Sequence, residues 1–164
     1  MGTSRAPPDE PIAVRRAVLS DAGAISRVLH SAFAEFRERY TPEAYAASVP
    51  PESGIARRFQ EGPLWIAHRG STAVGTVAAV RTRDLVTIRG MAVSPLARGL
   101  GLGRTLLSSA EGFAREQACA CIVLYTTGFL TAAIALYRSA GYTFTGDAES
   151  PHGTELLRMS RTLG

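Results

Sequence analysis

The sequence predicts an α+β fold: one mixed, mostly antiparallel central sheet with helices on both faces. Three observations carry this. Apolar and alternating runs come in the order strand, helices, three strands, helix, strand, helix, two strands. The three central runs are separated only by short turns, as in an antiparallel meander. The last of them, Leu85 to Val93, leads through a glycine-rich stretch into an amphipathic helix. A chain of 164 residues, 46% hydrophobic and 20% charged, is long enough to bury such a core in one domain. We expect that domain to span residues 11–164, after a polar, proline-rich tail (1–10) expected to be disordered.

Ile12 to Arg16 reads as a first strand. Ser20 or Asp21 would cap a helix whose buried stripe is Ala22, Ile25, Val28, Leu29, Ala32, Phe33 and Phe36. Pro42, at a first helical position after Thr41, starts a second short helix. Pro50-Pro51 and Ser53-Gly54 break it, and Ile55 to Gln60 adds a turn or two. Leu64 to His68 and Thr72 to Val80 form a hairpin around Arg69-Gly70-Ser71, and Arg83-Asp84 turns the chain into Leu85 to Val93. A helix from Gly103 to Gln117 buries Leu106, Leu107, Ala110, Phe113 and Ala114. Ile122 to Thr126 is a fifth strand, and Leu130 to Ala140 a helix stopped by Gly141. Tyr142 to Thr145 and Glu155 to Arg161 finish as strands around a polar loop, Gly146 to Gly153.

Charge and cysteine usage narrow the function. The formal charge is +4, and all 18 basic residues are arginines, scattered rather than run together. That favours anionic ligands without a nucleic-acid footprint. Cys119 and Cys121 are too close in sequence for a disulfide framework and read as small apolar residues in a reducing, cytoplasmic setting. No secretory signal or bilayer-spanning stretch is read, and no metal is called for.

The chemistry gathers at Arg98-Gly99-Leu100-Gly101-Leu102-Gly103-Arg104. Glycines allow tight turns and close backbone approach. The helix that follows offers unpaired N–H donors and the positive end of its dipole, so the stretch reads as an anion site with phosphate the natural occupant, bracketed by Arg98 and Arg104. It is not a P-loop, having no Gly-Lys-Ser/Thr. Nor is it a dinucleotide fingerprint, because the spacing is G-x-G-x-G and follows the fourth strand.

The stretch resembles the acetyl-CoA signature of the GNAT N-acetyltransferase superfamily, Gln/Arg-x-x-Gly-x-Gly/Ala, with Arg98, Gly101 and Gly103 at its fixed places. Met91-Ala92-Val93-Ser94-Pro95 is similar to the family's lead-in. Ala133-Ile134-Ala135-Leu136-Tyr137-Arg138-Ser139-Ala140-Gly141-Tyr142 is similar to its Ala-x-x-Leu-Tyr-x-x-x-Gly-Phe/Tyr segment. The resemblance implies a GNAT-like acyl-CoA N-acyltransferase fold in which Leu85–Val93 lies beside the fifth strand and the two splay apart. The pantetheine arm would pair with the main chain of Met91 and Val93 in the gap. The N–H groups from Gly99 to Arg104, those of Leu100 and Leu102 included, would hold the pyrophosphate.

The implied activity is acetyl-CoA-dependent acetylation of a primary amine on a small molecule or peptide, directly from the thioester, with no covalent enzyme intermediate. A backbone N–H near Met91 or Ala92 would stabilise the oxyanion. Tyr137 would protonate the departing thiolate, a near-balanced transfer between a thiol near roughly 8.5 and a phenol near roughly 10. Thr87 and Tyr125 stand where two kinds of protein-directed member carry a glutamate, so the base stays open among Tyr125, a water chain, Asp84, Glu35 and His68. Leu130 stands where many members have asparagine, and Thr126 or Thr127 would replace its hydrogen bond. The acceptor pocket would lie between roughly Phe33–Tyr45 and Asp147–Gly153, with aromatic walls and with Glu35, Glu38 and Glu43 suiting a small cationic amine. Members often dimerise, so a homodimer is allowed. The competing readings are a non-catalytic CoA or acyl-CoA sensor of the same fold, and a nucleotide-phosphate binder.

Overall fold

The computed structural model describes residues 10–164; the expected tail, 1–10, lies outside the described residues except for Glu10. The strands are β1 (Ile12–Arg16), β2 (Leu64–Arg69), β3 (Thr72–Thr82), β4 (Leu85–Val93), β5 (Cys121–Thr126), β6 (Thr143–Glu149) and β7 (Leu156–Thr162). The helices are α1 (Ala22–Phe33), α2 (Pro42–Ser48), α3 (Glu52–Arg58), α4 (Leu102–Glu116) and α5 (Thr131–Ser139). The strands form one sheet in the order β1-β2-β3-β4-β5-β7-β6. Every neighbouring pair is antiparallel except β4 and β5. The expected mixed, mostly antiparallel sheet is what forms.

Two cores cover its two faces. On one, Leu106, Leu107 and Ala110 of α4 and Tyr137 of α5 bury Val77, Ala79, Val86 and Ile88. On the other, Ile25 and Leu29 of α1 and Ile55 of α3 bury Ile66, Ala78 and Ala92. Each fully buried Leu or Ile contributes about 1.5–3 kcal/mol relative to exposure. Both cysteines are free, and Cys119 packs into the α4 core.

Side-chain parity changes along β4. Val86 and Ile88 face α4, whereas Ala92 faces α1 and Met91 and Val93 face α4. The cause is a bulge: Ala78 pairs with Arg89, but Thr76 pairs with Ala92, so β4 carries one extra residue. Gly90 sits there at φ +53°, where a side chain would be strained.

Several local expectations are corrected, among them the first helix, which ends at Phe33 and continues through Phe36 as a 3-10 turn. α3 starts at Glu52, with Pro51 as its cap residue, so Ser53-Gly54 lies inside a helix rather than breaking one. β6 continues through Gly146 to Glu149, leaving a shorter loop than Gly146–Gly153. Asp21 makes no side-chain cap for α1; its carboxylate takes the Val18 N–H and a two-point ion pair from Arg15, which fixes the short 3-10 turn ahead of the helix.

Candidate active site

The parallel pairing of β4 with β5 runs from Leu85–Cys121 to Ile88–Leu124 and stops there. Beyond it β4 stays paired to β3 and β5 to β7, so the two strands part. On the side facing the gap, Arg89–Val93 on one wall and Tyr125 and Thr126 on the other have no neighbouring strand. An extended ligand can pair with their main-chain groups as an added strand does.

The gap opens into a cleft of about 840 Å³, the size of a small-molecule site. One end is the loop ahead of α4. Gly99 has φ +78° and Gly101 φ +76°, and a Cβ on either would meet nothing within 4 Å. The left-handed backbone, not crowding, is what asks for glycine there, and the space above it is open to a ligand. Gly103 is different: a Cβ there would come within 2.8 Å of Leu136 Cδ2. Its absence lets α4 and α5 approach beside the cleft. The first N–H groups of α4, a helix of 15 residues, point toward this end.

Of the anticipated site residues, Met91, Ala92, Val93, Arg98, Gly99, Gly101, Leu102, Gly103, Tyr125, Thr126 and Tyr137 line the cleft together. The side chains of Leu100 and Arg104 do not. Leu100 is exposed, and Arg104 Nη2 lies 3.5 Å from the Ser139 carbonyl oxygen. Arg98 lines the cleft but is not a free charge. Its guanidinium donates to the Glu35 carboxylate and, at 3.1 Å, to the Ala32 carbonyl, tying the loop to the end of α1. Of the two arginines expected to bracket a phosphate, Arg98 is paired with Glu35, and Arg104 is exposed with one long contact to the Ser139 carbonyl.

The structure also reassigns the polar walls. Glu35 is taken by Arg98, and neither it nor Glu38 nor Glu43 lines the cleft. Asp84 sits in the turn before β4, at the strand end away from the gap, and His68 lies beside Arg15 on β2. Of the carboxylates only Glu149, at the end of β6, lines the cleft among the described residues, near His152. Phe33, Phe36 and Tyr40 do form aromatic walls, and Tyr45 stacks behind Tyr40 at 6.1 Å. Phe129, which sequence reasoning missed, completes them, edge-on to Tyr40 at 4.9 Å. Thr41 caps α2 and also bonds the His152 carbonyl, and its N–H bonds Thr154 at 2.9 Å. These contacts join α2 to the β6–β7 loop across the acceptor side.

Two features bear on whether a thioester carrier fits. The Thr126 hydroxyl is buried at the cleft wall and has no hydrogen-bond partner, a vacancy for a ligand amide beside Leu130. Tyr137 is buried at the bottom, and that burial pushes its phenol up to about 12. It stays protonated, as a donor must. The expected near balance with a thiolate is shifted; burial in the same cleft raises the thiolate's proton affinity too, which narrows the difference. Backbone donors, an unpartnered hydroxyl and a buried phenol suit a ligand with a phosphate head and an amide arm.

The acetyltransferase (GNAT) family profile matches residues 25–142. The probable N-acetyltransferase family 8 member 5 of Mus musculus is 32% identical over 91 residues, 52% of this chain and 40% of that protein. The chain spans less than half the length of the curated relatives it matches. The PaiA N-acetyltransferase of Thermoplasma acidophilum, in complex with coenzyme A, superposes with a TM-score of 0.78 at 15% identity, over 93% of this chain and 99% of that one. A phosphinothricin acetyltransferase of Sinorhizobium meliloti, in complex with AcCoA, does so with a TM-score of 0.72 at 26% identity, over 93% and 89%. A profile match running from α1 to the residue before β6, over a fold shared with these proteins, makes the chain a member of the GNAT acetyltransferase family.

Proposed function

We propose that the chain transfers an acetyl group from acetyl-CoA directly to a primary amine of a small molecule or peptide. The observation that carries this is the parting of β4 from β5 beneath the glycine loop, with Tyr137 at the bottom of the gap. Acetyl-CoA supplies the acyl group already activated as a thioester. The chain's own part is threefold. The N–H groups of the Gly99–Arg104 loop and the start of α4 bind phosphate charge. A main-chain N–H of Met91 or Ala92, set just past the bulge, donates to the carbonyl oxygen where negative charge develops. Tyr137 Oη donates a proton to the leaving sulfur.

Holding both reactants in the cleft is worth up to about 7–11 kcal/mol, so positioning carries most of the rate. The acceptor ammonium must lose a proton first. Tyr125, Glu149 and His152 are cleft groups that can take it, directly or through water, and Tyr125 remains our candidate from the sequence. Two complexes bear on the co-substrate: a fold relative binds coenzyme A and another binds AcCoA.

The test is release of CoA thiol from acetyl-CoA, with and without a panel of amino acids, polyamines, aminoglycosides and peptides. Amine-dependent release is expected. Acetyl-CoA binding without release from any amine would favour a non-catalytic acyl-CoA module, and no binding would overturn the reading.

A further inference from the structure

The acceptor side of the cleft holds one charge that the transfer chemistry does not use. Arg58, the last residue of α3, lines the cleft against the β4 bulge. A Cβ on Gly90 would come within 2.5 Å of Arg58 Nη1, so the guanidinium lies directly over the bulged backbone. Among the described residues it has no carboxylate within 4 Å and no hydrogen bond from its side chain. The nearby carboxylate, Glu61, is held by Arg89 at 2.5 Å. Burial lowers the proton affinity of Arg58, with Arg89 adding repulsion and Glu61 a smaller opposing attraction, yet arginine stays charged under all ordinary conditions. A half-buried cation with no direct hydrogen-bonded partner is costly, and a ligand carboxylate would complete it.

That ligand is not the carrier's phosphate. Gly90 and Ser94, where the glycine loop's approach begins, are separated by about 13 Å of strand at ~3.3 Å per residue. Arg58 instead sits one residue from Met91, beside the place where the amine is acetylated. Of the other cleft arginines, Arg98 is neutralised by Glu35 and Arg89 by Glu61. This leaves Arg58 as the cleft arginine without a directly paired carboxylate among the described residues, and Glu149 as the cleft carboxylate. Phe36, Tyr40, Ala44 and Phe129 give the acceptor side an apolar, aromatic wall, facing a polar edge of Ser48, Glu149, His152 and Thr154.

We propose that the acceptor amine also carries a carboxylate, as an amino acid with an apolar side chain does, and that Arg58 binds that carboxylate. The inference rests on the transferase reading and names its acceptor class. A guanidinium fork matches a carboxylate at two points, which fixes the molecule's orientation as well as its charge. The aromatic wall takes the side chain, and the amine is left facing Met91. The small cationic amine suggested by Glu35, Glu38 and Glu43 is the acceptor this arrangement disfavours.

The experiment compares L-phenylalanine, L-leucine and L-methionine with their carboxamides and their decarboxylated amines. Two readouts are kept apart: binding to the protein by calorimetry, without acetyl-CoA, and CoA-thiol release with it. The expected result is that the amino acids outperform the partners lacking a carboxylate by about 10- to 100-fold, the worth of a hydrogen-bonded charge pair. In Arg58→Gln the ratio falls to within about threefold, and Arg58→Lys keeps part of it. Carboxylate-free amines equal to the amino acids in the wild type, or a preference that survives in Arg58→Gln, would overturn the proposal, as would failure of every amino acid tested to bind. Should Arg58→Gln not fold, the wild-type ratio and Arg58→Lys decide. Absence of acetyl-CoA binding sinks the transferase reading alone, because the calorimetric preference reads Arg58 independently.

Discussion

Arg98 and Glu35, 63 residues apart in sequence, are joined by a charge-assisted hydrogen bond, and the same guanidinium reaches the Ala32 carbonyl at 3.1 Å. The arginine that marks the acetyl-CoA signature thus acts as a strut between the glycine loop and α1. Both partners are close to half exposed, at 42% and 50%, so the ion pair itself is worth less than about 1 kcal/mol and weakens with salt. Glu35→Gln should therefore change the melting temperature little. Arg98→Ala removes the Ala32 bond as well, loosens the loop and should raise the Kd for acetyl-CoA roughly three- to tenfold. Calorimetric titration of both variants checks this; an equal loss in Glu35→Gln would mean that the pair, not the backbone bond, holds the loop.

Tyr137 gives a kinetic and a pH prediction from one cause. Tyr137→Phe should lower kcat about 100-fold while the Kd for acetyl-CoA stays within about twofold. The phenol is ionised only near pH 12 in the fold but near 10 in the unfolded chain. A raised value means stability is fully present below about pH 10 and is lost as pH rises toward 12, by on the order of 2 kcal/mol. Chemical denaturation between pH 9 and 12 should show a shallower decline in Tyr137→Phe than in the wild type. Tyr142, raised by burial and by Glu111, leaves a residual slope in both.

Local pattern made the element order and the glycine loop readable, because helix stripes and turn residues are encoded within a few positions. The pairing of β4 with β5 came only through the family resemblance. What stayed hidden depends on contacts across the chain. Glu35 looked like a pocket carboxylate until Arg98 claimed it. Arg58 is one scattered arginine among 18 in the sequence, and only the packing of α3 over the bulge at Gly90 sets it at the cleft. Phe129 stood beside Leu130 in sequence, yet its role needs Phe36 and Tyr40 brought from α1 and its extension. Gly54 was read as a breaker, but packing of Ile55 against α1 outweighs the roughly 1 kcal/mol that a helical glycine costs.

Two glycines of α4 should respond oppositely to alanine. At Gly112 a Cβ meets nothing within 4 Å, so Gly112→Ala should gain up to about 1 kcal/mol from helix propensity. At Gly103 the new methyl meets Leu136 Cδ2 at 2.8 Å. The leucine end lines the cleft, so moving it aside alters the site, and the propensity gain is offset by overpacking of about 1–3 kcal/mol. Gly103→Ala should leave the melting temperature flat or lowered and raise the KM for acetyl-CoA. A stabilised Gly103→Ala with unchanged KM would show that the α4–α5 approach does not shape the site.

The Arg15–Asp21 pair should govern the acid limb of stability. Arg15 donates twice to Asp21, at 2.8 and 2.9 Å, and the Val18 N–H adds a third bond at 2.8 Å. Together they hold the carboxyl at about 2, against an ordinary value near 3.8. A depressed value means the contribution is present above about pH 4 and disappears as pH falls toward 2. Asp21 is mostly buried but Arg15 is half exposed, so solvent screening limits the contribution to about 1–2 kcal/mol. Asp21→Asn should lower stability by that amount at pH 7 and flatten the loss between pH 4 and 2. Denaturant titrations at both ends of that window decide it, since a variant that falls in parallel with the wild type would place the acid sensitivity elsewhere in the fold.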